Sequence, residues 1–347
     1  MVRVAIDVMG GDHGAESTIA GLSSYISKNG FDGVAFDLFG DRSIIEAQIG
    51  KFPNIPGSIY EIYNTGSSVI SPDMKPSAAV RGGRGTSMFE AILHVADKKA
   101  GAVVSSGNTG AYMALAKIIL KTMVDVERPA LISILPNVKG KSVMLDLGAN
   151  TECSSTNLIQ FAIMGAAAAK VLLKVDNPSV GLLNVGTEKG KGTDSLKGAY
   201  EFLENSKDIN FVGFIEGTDI TKGTADVIVT DGFSGNISLK TMEGTIRFLV
   251  HLFKEGIKSS ILGKIGFLFC LGMLSRIKNK MDPSRHNGAS LVGLDGIAIK
   301  SHGSSDAVGF ASAISVAVEL ARSNFIKNLK EAISSSEMEK THAYDNN

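Results

Sequence analysis

Short runs rich in Val, Ile and Leu alternate along this chain with longer stretches in which apolar residues recur every three or four positions. The short runs, at residues 2–8, 102–105, 142–146, 180–184, 226–230 and 297–301, read as strands, because continuous apolar character over so few residues suits a strand buried on both faces. Each is followed by a helix-period segment, at 16–28, 112–121, 158–174, 194–204, 237–253 and 307–323. Strand then helix, repeated, predicts an α/β fold with a mostly parallel, doubly wound sheet covered by helices on both faces. Residues 1–330 read as one α/β catalytic domain. The segment 331–347 is polar, and reads as a frayed or disordered tail.

The loops after the strands carry the chemistry. They read Gly10-Gly11-Asp12-His13-Gly14, Ser106-Gly107-Asn108-Thr109-Gly110, Gly148-Ala149-Asn150, Gly186-Thr187-Glu188-Lys189-Gly190-Lys191-Gly192, Asp231-Gly232-Phe233-Ser234-Gly235-Asn236 and His302-Gly303-Ser304-Ser305-Asp306. In a parallel sheet the carboxyl ends of the strands share one edge, so these six loops are expected to converge there on one anionic ligand. Glycine lets backbone N–H groups approach an anion, and the helix N-termini that follow favour negative charge. For any single loop, ordinary capping by Asn, Asp or Ser is the competing account.

Composition narrows the ligand. The 347 residues carry 35 Lys and Arg against 35 Asp and Glu, so no global field recruits nucleic acid, and an anion must be met by local groups. The 39 glycines and 8 prolines fit many tight strand-to-helix loops. Cys153 and Cys270 are too few for a disulfide framework or a zinc site, and the histidines form no His-x-x-x-His pair. The first residues lack the basic-then-apolar order of a signal peptide, so a reduced, cytoplasmic protein without metal or cofactor is expected.

Several familiar motifs are approached and missed. The segment Gly186 to Gly192 has three residues between its first two glycines where a P-loop has four, and no Ser or Thr follows Lys191 to hold magnesium. No Gly-x-Gly-x-x-Gly opens a helix after the first strand, which weakens a dehydrogenase reading. Phe233-Ser234-Gly235-Asn236 is not a nucleophile elbow, which weakens a serine hydrolase reading.

In combination these loops resemble the phosphate acyltransferase (PlsX) family of bacterial phospholipid synthesis. The matching segments run in order from Ile6-Asp7-Val8-Met9-Gly10-Gly11-Asp12-His13 through Lys75-Pro76-Ser77-Ala78-Ala79-Val80-Arg81, the loops at 104–111, 145–150, 182–192 and 225–236, and Asn287-Gly288-Ala289-Ser290, to Lys300-Ser301-His302-Gly303-Ser304-Ser305-Asp306. The resemblance implies reversible transfer of a fatty acyl group from acyl carrier protein to inorganic phosphate, giving acyl phosphate for phospholipid biosynthesis. It also implies a homodimer, a three-layer fold akin to phosphotransacetylases and isopropylmalate dehydrogenases, and a membrane glycerol-3-phosphate acyltransferase as a further partner. The rival enzymatic reading is a phosphotransacetylase using acyl-coenzyme A. The rival outside enzymology is a silent scaffold for lipid enzymes.

Such a reaction asks little acid–base work. Phosphate is substantially ionised near neutrality, with a second pKa of roughly 6 to 7 by analogy with phosphoesters. The leaving thiol, with a pKa of about 8.5, departs with little protonation. What remains is to neutralise phosphate, align it with the thioester and stabilise the oxyanion. Lys191 and Asn236 are the first candidates, Lys191 as an ammonium between glycines and Asn236 as an amide donor or a cap. His13 reads as a proton carrier, a phosphate ligand or a structural loop residue, and Asp231 as an orienting carboxylate or a cap. Gly10, Gly11, Asp12, Asn108, Thr109, Asn150 and His302 complete the expected phosphate site. Lys75, Arg81 and Arg84 form a basic cluster suited to phosphopantetheine phosphate or an acidic carrier protein, or to a solvated surface.

One stretch has a different character. Residues 257–281 read IKSSILGKIGFLFCLGMLSRIKNKM, and the uncharged run 265–275 is well short of the roughly 20 residues a spanning helix needs. Across 254–285 seven basic residues stand against Glu255 and Asp282. A protruding helical hairpin is expected here. Leu262, Phe267, Leu268 and Leu271 either contact an anionic membrane surface peripherally or pack at a dimer interface.

Overall fold

The computed structural model describes residues 1–258, 272 and 287–335. The sheet places β1 (Val2–Asp7), β4 (Ala102–Ser105), β6 (Lys141–Leu145), β7 (Ser179–Leu183), β9 (Val227–Val229) and β11 (Ile297–Lys300) where the apolar runs predict strands. Five more strands join them: β2 (Val34–Gly40), β3 (Tyr60–Asn64), β5 (Ala130–Pro136), β8 (Asn210–Ile215) and β10 (Ala289–Val292). The order is β3-β2-β1-β4-β11-β10-β5-β6-β9-β7-β8.

The pattern of burial explains why a sheet forms. Val4, Ile6, Val104, Ile299, Val143, Leu145, Val227 and Val229 enter one core, while their alternate neighbours Ala5, Val103 and Ala298 enter a second, and Met144 and Ile228 a third. Period-two alternation into two apolar layers requires helices on both faces, which is the expected three-layer α/β architecture. Helices α1 (Gly14–Asn29), α6 (Ser155–Leu172) and α10 (Ala307–Arg322) supply residues to the first core, and α4 (Ser87–Ala96) and α5 (Thr109–Leu120) to the second. The helix α6 is long and apolar enough to cross a membrane, but 78% of it is buried, as a core helix is. A last helix, α11 (Phe325–Ser335), buries Leu329 and Ile333 and so runs across the expected boundary at residue 330.

One expectation needs correction. The strands β3, β2, β1, β4 and β11 are mutually parallel, as are β6, β9, β7 and β8, but β11–β10, β10–β5 and β5–β6 pair antiparallel. Three reversals set the two parallel groups in opposite directions, so the carboxyl ends do not share a single edge. β5 and β10 form the seam between the groups. The expected hairpin and its Leu262, Phe267, Leu268 and Leu271 lie outside the described residues. The described lead-in to it, α9 (Gly232–Lys258), exposes Phe248, Leu249, Val250, Leu252 and Phe253.

Candidate active site

Strand register builds the floor of the site. Asp7 on β1 pairs with Ser105 on β4, and Ser105 pairs with Lys300 on β11, so a carboxylate, a hydroxyl and an ammonium stand in one row at the ends of three parallel strands. All three residues are buried. Asp7 accepts hydrogen bonds from Ser105 Oγ and Ser87 Oγ, both at 2.6 Å, and Gly107 N–H donates to Ser105 Oγ at 3.0 Å. Burial raises the Asp7 carboxyl above the usual carboxylate range in spite of these hydroxyls and Lys300. Burial likewise pushes the Lys300 ammonium down to about 8, with Asp7 and Asp12 acting the other way. Lys300 Nζ donates to the carbonyl oxygen of Ser301.

Two adjoining cavities open over this row. The larger, about 320 Å³, lies along the antiparallel seam. Its polar lining includes Thr109, Asn236, Lys240, Lys300 and His302, and its apolar lining Leu131, Leu135, Leu239, Met242 and Ile246. The smaller, about 210 Å³, is lined by Asp7, Gly10, Gly11, Asp12, Ser106 and Asn108 among others. Thr109 and Gly303 belong to both. The seam thus does what a topological switch point does in a simpler sheet: loops from both parallel groups face each other across it.

The mouth of the larger cavity is charged. Glu243 receives Lys240 Nζ at 3.0 Å and Arg247 Nη2 at 3.5 Å, and His302 Nε2 lies 3.7 Å from its other oxygen. Burial first, and Lys240 second, lower the His302 pKa from its ordinary value, which leaves the ring neutral at pH 7.

Of the six glycine-bearing loops, those after β1, β4, β6, β9 and β11 reach the two cavities, through Gly10, Gly11 and Asp12, Asn108 and Thr109, Gly148, Asn236, and His302 respectively. The loop after β7 lines neither. Lys191 is exposed there, with its Nζ 2.8 Å from Glu188 Oε1. Its neighbours Thr193 and Ser195 instead border a third hollow, of about 760 Å³, together with Asp231. Asp231 caps α9, accepting from Ser234 N at 2.8 Å and Ser234 Oγ at 2.9 Å.

Several other candidates hold loops together. The Asn108 amide donates to the carbonyls of Ser71, Pro72 and Met74, while its oxygen caps α5 through Ala111 N. Asn150 donates to Pro129 O and Asp146 Oδ2. A Cβ on Gly10 would lie 2.6 Å from Asp7 Oδ2 and 2.8 Å from Gly107 N, so this glycine serves close packing of the β1 and β4 loops. His13 is exposed at the N-cap of α1 and makes no capping bond. Lys75 and Arg81 are exposed at the two ends of α3 (Pro76–Gly82).

Lys300 and Lys240 are the lysines that sequence reasoning passed over. Lys300 ends an apolar strand, where the signal was a lysine in a run otherwise destined for burial. Lys240 lies one helical turn after Asn236, a spacing that puts both on the same face of α9.

A family model described as "Fatty acid synthesis protein" matches residues 2–328. A phosphate acyltransferase of Rhodospirillum rubrum is 45% identical over 95% of this chain and 94% of its own. One from Paramagnetospirillum magneticum is 47% identical over 92% of this chain and 90% of its own. Among solved structures, the EutD phosphotransacetylase of Staphylococcus aureus superposes with a TM-score of 0.59 at 17% identity, over 92% of this chain and 94% of that one. A phosphotransacetylase from Streptococcus pyogenes gives 0.60 at 17% identity, over 93% and 94%. These two likenesses concern the fold.

Proposed function

Because this chain belongs to the phosphate acyltransferase family, we propose that it transfers a fatty acyl group reversibly between acyl carrier protein and inorganic phosphate, supplying acyl phosphate to phospholipid synthesis. The observation that carries the reading is the cleft on the seam, whose lining is both polar and apolar. Its Lys300, Lys240 and Asn236 offer donors to an oxyanion, and its Leu131, Leu135, Leu239, Met242 and Ile246 offer an acyl chain the burial it seeks, about 0.8 kcal/mol per methylene.

The step balances without an enzyme nucleophile. An oxygen of HPO₄²⁻ attacks the thioester carbon, forming the C–O bond of a tetrahedral oxyanion, which collapses as the C–S bond breaks. The phosphate proton ends on the departing thiolate, giving acyl phosphate and the free thiol. The polar lining serves this by alignment and by charge stabilisation at the tetrahedral oxyanion, where such donors act most strongly once water is excluded. Neutral His302 at the mouth is suited to carry the proton to sulfur.

The carrier protein is acidic in this reading, and the exposed Lys75 and Arg81 flank its approach. The exposed apolar side chains of α9 lead into the basic and apolar segment 254–285, which supports a homodimer that associates peripherally with membrane and hands its product to a membrane glycerol-3-phosphate acyltransferase.

The test is release of thiol and formation of acyl phosphate from purified protein, labelled phosphate and either acyl carrier protein thioester or acyl-coenzyme A. Faster turnover with the carrier thioester is expected. A preference for the coenzyme A donor would make the protein a phosphotransacetylase instead. Asn236→Ala should lower kcat/KM about 10²-fold, the size usual for one oxyanion donor. Lys191→Ala should have a smaller effect, since its ammonium is paired with Glu188 away from the cleft. A loss as large as that at Asn236 would mean that the β7 loop closes over the cleft when donor binds.

A further inference from the structure

The setting of Lys300 is unusual for a lysine. It is 6% exposed, yet it lines the larger cavity. Lysines are almost never buried unless paired, because the ammonium loses its hydration. Here neither counter-charge is in ion-pair contact with Nζ: Asp7 lies across the Ser105 row, and Asp12 stands on the loop that walls the smaller cavity. The bond from Nζ to Ser301 O uses one of its three protons. The serine hydroxyls of Ser87 and Ser105 are both spent on Asp7, so that carboxylate is satisfied without the lysine.

We propose that Lys300 is a catalytic residue for this reaction, the buried cation that binds the phosphate nucleophile and neutralises it beside the thioester. A buried ammonium with no ion pair among the described residues is a preorganised anion site. It costs little reorganisation when phosphate arrives, and its field is not diluted by water. Asp7, held by two hydroxyls at the other end of the row, is a positioning residue whose charge favours the protonated form of Lys300. The groups that face Lys300 and set its proton affinity are Asp7 from β1, Asp12 from the β1–α1 loop and His302 from the loop after β11. The inference deepens the reading above, from which it takes phosphate as the co-substrate.

The consequence is a pH signature. The ammonium form is the one that binds phosphate, and Lys300 loses its proton through about pH 8. Wild-type kcat/KM for phosphate is therefore expected to fall on the alkaline side of about pH 8. Lys300→Met should lower it at least 10²-fold at pH 7. Lys300→Arg, which keeps its charge throughout this range, should retain partial activity with the alkaline limb gone or moved up by more than one pH unit.

Binding is read separately from turnover, as the rise in melting temperature on adding inorganic phosphate at constant ionic strength, with sulfate as control. Wild type should be stabilised, and Lys300→Met should not be. Near-normal turnover in folded Lys300→Met, undiminished stabilisation by phosphate, or an unchanged alkaline limb in Lys300→Arg would overturn the proposal. If Lys300→Met does not fold, the Lys300→Arg limb decides alone. If neither thioester donor is turned over by wild type while phosphate still stabilises it through Lys300, then the acyl-transfer reading fails and the phosphate site stands.

Discussion

Asp7 and Asp146 occupy corresponding places in the two parallel groups, one at the end of β1 and the other just after β6, and burial raises the pKa of both. Their partners differ. Asp146 accepts from the backbone N–H groups of Leu131 at 2.9 Å, Gly148 at 3.2 Å, Ala149 at 3.0 Å and Asn150 at 2.7 Å, and from the Asn150 side chain at 2.9 Å. It is a clamp that closes the 147–150 loop on itself and lines neither cavity. Asp7 takes two serine hydroxyls, lines the smaller cavity and shares a row with Lys300. The same residue type, equally buried, serves architecture where backbone saturates it. It serves the site where soft hydroxyl partners and a second ionisable group leave it coupled to a cavity.

The comparison breaks most visibly at Asp146. Asp146→Ala leaves four backbone donors without their acceptor in a buried setting, so a loss of about 3–5 kcal/mol is expected in urea denaturation, with activity following only through loss of fold. An equally large loss for Asp7→Ala would erase the distinction.

Asp7→Asn sharpens it. The amide oxygen still accepts from a serine, and the cost of burying a charge at pH 7 is removed, so the melting temperature should move by no more than a few degrees. The phosphate-dependent turnover should nevertheless fall about tenfold or more. The sign with pH follows from the raised Asp7 pKa: the folded state holds that proton more tightly than the unfolded chain. Asp7's contribution to stability is complete below the unfolded value near 3.8 and is lost as pH rises through the higher folded value. Asp7→Asn should flatten that part of the stability profile.

The smallest effect is expected at His302. Its lowered pKa means that the folded state resists protonation, so its contribution is present above the unfolded value near 6.5 and is lost as pH falls through the lower folded value. The side chain is about half exposed, and solvent screens most of the effect. The melting difference between pH 7.5 and 5.5 should therefore shrink slightly in His302→Gln, while the acidic limb of turnover should move more.

Much of the fold was legible. The strands read at 102–105 and 297–301 match observed Ala102–Ser105 and Ile297–Lys300 almost residue for residue, because a short apolar run between glycine-rich loops has few other places to go. β5 and β10 were not read. Their apolar runs are not followed by a helix of their own, and a strand that reverses direction looks the same in sequence as one that does not. Asn236 and Thr109 were legible as site candidates from their loops, and the structure places both on the larger cavity. Lys300 was not, since a lysine at the end of a strand reads as a solvated end until its neighbours are known.

What the sequence by itself determined is the alternation of strand and helix and the glycine-bearing loops at the strand ends, since backbone preference and side-chain periodicity act over a few residues. Only the tertiary structure decided that three antiparallel pairings reverse half the sheet, that four of those loops face one seam and the β1 loop an adjoining cavity while the β7 loop turns aside, and that Asp7, Ser105 and Lys300 form a row. Register between strands nearly two hundred residues apart depends on which apolar faces find each other, and a buried charge acquires its meaning from neighbours that the chain's own order does not place beside it.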